Sequence, residues 1–81
     1  MNDKCLTHWI VIGPTVWGKG KTEEEALKNA KKEYNGPLPK ALVYAVAEDT
    51  YVDDIGNFVT PCDAPRPKLL KRIVGRKVEL L

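Results

Sequence analysis

The chain has 81 residues, 43% hydrophobic and 30% charged, with a formal net charge of +2 at pH 7. This is the composition of one small folded domain, not of a disordered chain. It offers no apolar run near the ~20 residues of a membrane helix, and its charge is too mild to argue by itself for nucleic acid. Little material is left over for an enclosed catalytic pocket, so a surface that binds is expected before a site that reacts.

Charge is divided along the chain. Residues 41–65 carry Glu48, Asp49, Asp53, Asp54 and Asp63 with no Lys or Arg, whereas residues 66–81 carry Arg66, Lys68, Lys71, Arg72, Arg76 and Lys77 against the single acid Glu79.

The segment Met1-Asn2-Asp3-Lys4-Cys5 lacks the long apolar stretch of a signal peptide. A cytoplasmic setting is therefore expected, with Cys5 and Cys62 as reduced thiols. Leu6 to Ile12 (LTHWIVI) is rich in β-branched and aromatic residues and stops at the turn signal Gly13-Pro14. Trp9 and Val11 fall on one side and Ile10 and Ile12 on the other, which suits an inner strand covered on both faces. Thr15-Val16-Trp17 continues it after a kink or forms a short second strand, and Gly18 and Gly20 then release the chain.

Residues 23–34 carry the clearest element, a helix. Thr22 is the N-cap and Glu25 completes the capping-box spacing. Glu23, Glu24 and Glu25 lie at the positive end of the macrodipole and Lys28, Lys31 and Lys32 toward the negative end. Glu24 and Lys28 form a favourable (i, i+4) pair. Asn35-Gly36-Pro37 stops the helix, with Gly36 free to take a positive φ. Its apolar stripe is Ala26, Leu27, Ala30 and Tyr34, and the two alanines permit close approach to one face of a sheet.

After Pro37-Leu38-Pro39, Ala41 to Ala47 (ALVYAVA) reads as a second buried strand. Thr50-Tyr51-Val52 and Phe58-Val59-Thr60 flank Asp53-Asp54-Ile55-Gly56-Asn57 as a hairpin. Pro61, Pro65 and Pro67 mark an irregular crossing. Pro67 suits the first position of a short helix, with Leu69, Leu70, Ile73 and Val74 on one side and Gly75 as its stop. Val78 to Leu81 is a last strand or a frayed tail. The expected fold is a single α+β domain over residues 1–81, with a three- to four-stranded mainly antiparallel sheet, one packed α-helix and a short C-terminal helix.

Gly13 to Thr22 lies between a strand and a helix, where a P-loop would lie. Neither frame is complete, because Gly20 stands where Ser or Thr must hold Mg²⁺ in one and Thr15 where the first Gly must be in the other. Three glutamates also open the helix where phosphates would sit. Cys5, His8, Cys62 and Asp63 supply four ligand types without the paired spacing of a zinc module. Asp53 and Asp54 are adjacent and point apart, and nothing marks a nucleophile beside the lone His8. No enzyme, metal site or cofactor is expected.

Gly20 to Lys31, Gly-Lys-Thr-Glu-Glu-Glu-Ala-Leu-Lys-Asn-Ala-Lys, resembles the Gly-x-Thr-x-x-Glu-Ala-x-x-x-Ala segment of HicB-type antitoxins. In those proteins strands feed a capped helix, so the resemblance implies a β-sheet with one packed helix and a regulator's role. Ile12-Gly13-Pro14-Thr15 stands where that family carries Asp-x-Pro-Gly just upstream. In general style the chain is also similar to small bacteriophage-encoded α+β proteins, a class that includes inhibitors of host defence.

The reading that combines these features is a protein-binding module, an inhibitor or regulator acting through an acidic hairpin. Asp49, Tyr51, Asp53, Asp54, Ile55 and Phe58 are its candidate contacts, against a protein partner that is basic or handles nucleic acid. Several of the six aromatics, Trp9, Trp17, Tyr34, Tyr44, Tyr51 and Phe58, are candidates for exposed anchors. The alternative is nucleic-acid or antitoxin-like binding through Lys68, Lys71, Arg72, Arg76 and Lys77. Either a monomer or a homodimer fits, with no membrane partner.

Overall fold

A computed structural model describes residues 6–80 of the chain. Readings that involve Met1–Cys5 or Leu81, including any role for Cys5, lie outside the described residues. In chain order the elements are β1 (His8–Ile12), β2 (Trp17–Gly20), α1 (Glu23–Tyr34), β3 (Lys40–Val46), β4 (Tyr51–Val52), β5 (Phe58–Val59), β6 (Lys68–Val74) and β7 (Lys77–Leu80). Five strands form an antiparallel sheet in the order β2-β1-β3-β6-β7, and β4 and β5 form a separate two-stranded ribbon.

The central strands β1 and β3 are apolar on both sides because both sides are covered. Val11, Ala41 and Val43 face α1 and pack with Ala26 and Ala30. Ile10 and Val46 face the other way and pack with Val52 of the ribbon, with Ile12, Trp17, Tyr44 and Phe58 around them. The second apolar layer is thus the β4–β5 ribbon.

Helix α1 is capped as its sequence requires. The Thr22 hydroxyl accepts from the Glu25 amide at 3.0 Å, three acids occupy the first turn and Lys31 and Lys32 the last. The left-handed residue at its C-terminal end is Asn35 (φ 65), with the Gly36 amide donating to the Lys31 carbonyl at 3.2 Å. Asparagine tolerates this region better than most residues, so it can hold the position more often given to glycine.

Gly18 and Gly20 do not release the chain but lie inside β2, directly under the helix. A Cβ on Gly18 would meet the Ala30 nitrogen at 2.3 Å and the Ala26 carbonyl oxygen at 2.5 Å; one on Gly20 would meet the Ala26 nitrogen at 2.7 Å. The two alanines of α1 and the two glycines of β2 therefore bring backbone against backbone.

No helix occurs after Pro67. Lys68–Val74 is strand β6, paired with β3, and it turns at Gly75-Arg76 into β7. A register shift opposite Val43 and Tyr44 leaves Leu70 without a cross-strand partner, as in a β-bulge. Gly75 takes φ 59 at the first central position of the two-residue loop, where a II′ turn requires glycine. Its amide donates to the Pro39 carbonyl at 2.9 Å. The terminal residues Lys77–Leu80 are strand and not tail.

Gly18→Ala forces the helix backbone away from the sheet and is expected to cost about 1–3 kcal/mol. Each kcal/mol lowers Tm by roughly 4–8 °C in a domain of this size. Gly13→Ala, whose Cβ would meet only side-chain tips, Leu38 at 2.9 Å and Val16 at 3.3 Å, should cost clearly less. Thermal melts of the two variants test the difference.

Candidate functional site

The acidic hairpin is held from below and closed from within. Val52 is only 7% exposed, and the Phe58 ring stands edge-on to Tyr44 with centroids 4.7 Å apart. Next to the paired strands, the hydroxyls of Thr50 and Thr60 lie 3.2 Å apart, and Thr50 is buried. Lys19 of β2 donates to the Glu48 carbonyl, tying the connection before the ribbon to the main sheet.

The loop between β4 and β5 is organised by Asp53. One of its carboxylate oxygens accepts from the amides of Ile55 at 3.0 Å and Asn57 at 2.9 Å. Its own amide donates to the Asn57 carbonyl at 2.9 Å, and its carbonyl accepts from Gly56 at 3.0 Å. Gly56 sits at φ 87. Such side-chain-to-backbone bonds are the means by which aspartate fixes a tight turn. They hold the loop in one shape before any partner arrives.

What remains outward is a small mixed surface. Ile55 is 83% exposed and Tyr51 49% exposed, with Asp54 exposed beside Ile55 and Asp49 exposed at the approach to the ribbon. The six sequence candidates therefore divide. Asp53 and Phe58 shape the hairpin, Tyr51, Asp54 and Ile55 are presented, and Asp49 lies exposed just before it. A cleft of about 370 Å³ separates this loop from the turn after β1, between Pro14 and Trp17 on one wall and Val52 and Asp54 on the other.

Sheet alternation separates the basic candidates. Lys68 and Lys71 pair with Ala45 and Val43, on the side that carries α1. Lys71 is engaged there, 2.6 Å from the carboxylate of Glu23. Arg72 pairs with Leu42 and Lys77 with Val74, on the ribbon side. Arg76 is in the loop. Register also brings in Lys40, opposite Val74. With Arg72 it lines a cavity of about 400 Å³ floored by Ile12, Leu42 and Val74. No sequence motif marks Lys40; only the strand pairing reveals it.

Gly18 and Gly20 are filled by helix backbone and form no phosphate cradle. The His8 ring nitrogen Nδ1 lies 2.9 Å from the Thr7 hydroxyl, and Cys62 is an exposed thiol. Among the described residues no group of three or more His, Cys, Asp or Glu is placed to hold a metal ion, and no helix is long and apolar enough to cross a membrane. No protein-family model matches the chain, and no curated protein or solved structure matches it either.

Asp53→Ala frees two loop amides and is expected to destabilise the domain by about 0.5–2 kcal/mol, as loss of a side-chain cap does. Asp54→Ala should stay within about 0.5 kcal/mol of the parent. Denaturant melts measure both, and faster amide exchange at Ile55 and Asn57 should accompany the first change only.

Proposed function

We propose that the protein is a non-enzymatic binding module, an inhibitor or regulator that covers a basic surface on a protein partner with the β4–β5 hairpin. The observation that carries this reading is a loop closed by Asp53 hydrogen bonds, with an exposed isoleucine and tyrosine beside the exposed Asp54. A preformed loop loses little conformational freedom on docking. An apolar residue ringed by charge anchors contact while the charges steer approach. A partner that ordinarily holds nucleic acid fits this chemistry, because Asp54 can stand where one of its phosphates lies. The role matches that of small bacteriophage-type inhibitors.

Charge reversal is best aimed at Asp54, since Asp53 also shapes the loop. Affinity capture from the native host, followed by mass spectrometry, should return a basic protein. Asp54→Lys and Tyr51→Ala should each weaken its binding by at least about tenfold, or 1.4 kcal/mol, with an unchanged melting curve. Undiminished binding by both would remove the hairpin from consideration.

Nucleic-acid binding through Lys68, Lys71, Arg72, Arg76 and Lys77, as an antitoxin-like regulator would use it, is the competing reading. It has some support in the convergence of Lys40, Arg72 and Lys77 on the ribbon side of the sheet. It requires retention on an anionic polymer column that falls steeply with salt. Elution indifferent to salt would eliminate it.

A further inference from the structure

The five-stranded sheet has two edges, and they are finished differently. At the β2 edge, the Asn29 side chain donates to the Lys19 carbonyl at 2.7 Å, and α1 packs over the strand. At the β7 edge, all four residues Lys77–Leu80 are exposed, with Val78 at 56% and Leu80 at 78%. Among the described residues no bulge, proline or covering element protects this strand, and such an edge is a template for another strand.

Hydrogen-bond phase decides which pairings the edge allows. Gly75-Arg76 is a two-residue loop, so Val74 and Lys77 form the bonded pair that closes it. Bonded and non-bonded pairs alternate along an antiparallel ladder. The amides and carbonyls of Lys77 and Glu79 are therefore committed to β6, and those of Val78 and Leu80 point outward. A second copy paired about a two-fold axis must set outward residues against outward residues. Two such registers align three of the four residues of β7. Centred on Glu79, the strand places that carboxylate opposite its own copy in a non-bonded pair, where side chains are closest and like charges repel. Centred on Val78, it places Lys77 opposite Glu79 of the second copy twice over, and Val78 against Val78 in a bonded pair. The charges that would blunt this edge toward other strands are complementary toward itself in one register.

The apolar side agrees with that choice. Val78 pairs with Ile73 on the face that carries α1, and Leu80 lies on the same face beside Lys71. Since α1 sits over β2 and β1, at the far end of the sheet, no described residue covers this strip. Two copies would join theirs across the axis.

We propose that the protein forms a homodimer by antiparallel pairing of β7 with β7 of a second copy, centred on Val78, giving a continuous ten-stranded sheet. Sedimentation velocity of the full chain over a dilution series should show a reversible monomer–dimer equilibrium. Val78→Pro removes an amide that no β6 carbonyl uses, and proline is tolerated on the open side of an edge strand. It should abolish the dimer while the far-UV circular dichroism spectrum and melt are kept. Lys77→Glu and Glu79→Lys should each weaken self-association by more than tenfold, and an equimolar mixture of the two should regain a dimer. Arg72 pairs with Glu79 inside the chain, so Glu79→Lys is the variant at risk of misfolding; if it misfolds, Lys77→Glu carries the charge test alone. A wild-type chain that is monomeric throughout overturns the proposal. So does a dimer that survives Val78→Pro in a folded chain, and charge variants that associate as before or, both folded, fail to pair when mixed overturn the register.

Discussion

The contact on which the arrangement depends is the approach of α1 to β2 with no side chain between them. Gly18 and Gly20 remove the side chains on one surface, and Ala26 and Ala30 reduce them to methyl groups on the other. A helix seated this closely cannot slide toward the middle of the sheet, where Val11, Ala41 and Val43 stand up from the strands. It is held at one end. Three consequences follow from that position. The Lys19 carbonyl at the β2 edge is taken by Asn29, the central strands receive a thin layer of small residues on one side, and no described residue covers β7 on that side.

A sheet with apolar residues on both faces needs a second layer, and one helix cannot supply it. The β4–β5 ribbon does so through Val52 and Phe58. Because these residues face inward, alternation along the short strands turns Tyr51 outward, and the loop beyond them projects from the sheet. Two acids of the block without Lys or Arg, Asp53 and Asp54, are thereby carried on an element whose anchoring and display are separate. Asp53 shows the separation within two residues: its carboxylate is occupied by loop amides, and that of Asp54 is turned to solvent.

The parts of the fold that could be read in the sequence are those where one local rule acts alone. The capping box at Thr22 and Glu25 gives α1, the doubly apolar runs give β1 and β3, and Asp53 to Asn57 between two β-rich segments gives the ribbon. The C-terminal hairpin was hidden because two signals overlap. The unpaired Leu70 of the bulge sets Leu69 and Leu70 side by side, and with Ile73 and Val74 they imitate one face of a helix that starts at Pro67 and ends at Gly75. Strand alternation holds on both sides of the bulge but is offset across it, so no window shows a clean period of two. Gly18 and Gly20 were opaque for a different reason. Their meaning lies in a contact with residues 26–30, and glycine in isolation reads as a chain breaker. The acidic loop candidates were legible as a group, but the division of labour between Asp53 and Asp54 is a matter of hydrogen-bond geometry that composition does not carry.

The division of charge along the sequence does not become a simple division in space, and the difference bears on how the domain can act. The acids of the hairpin share one projecting loop region, whereas strand alternation sends Lys71 to Glu23 beneath the helix and Arg72 and Lys77 to the opposite face. Basic residues on alternate faces cannot all follow one phosphate backbone together. A single loop with one exposed isoleucine is a small contact, and small contacts gain most from repetition on a rigid support. An antiparallel joining of β7 edges has its two-fold axis perpendicular to the sheet. Both helices then lie on one side and both ribbons on the other. The same uncovered strand that results from seating the helix at the β2 end would thus place two preformed acidic loops on a common face, at a separation fixed by the strands between them.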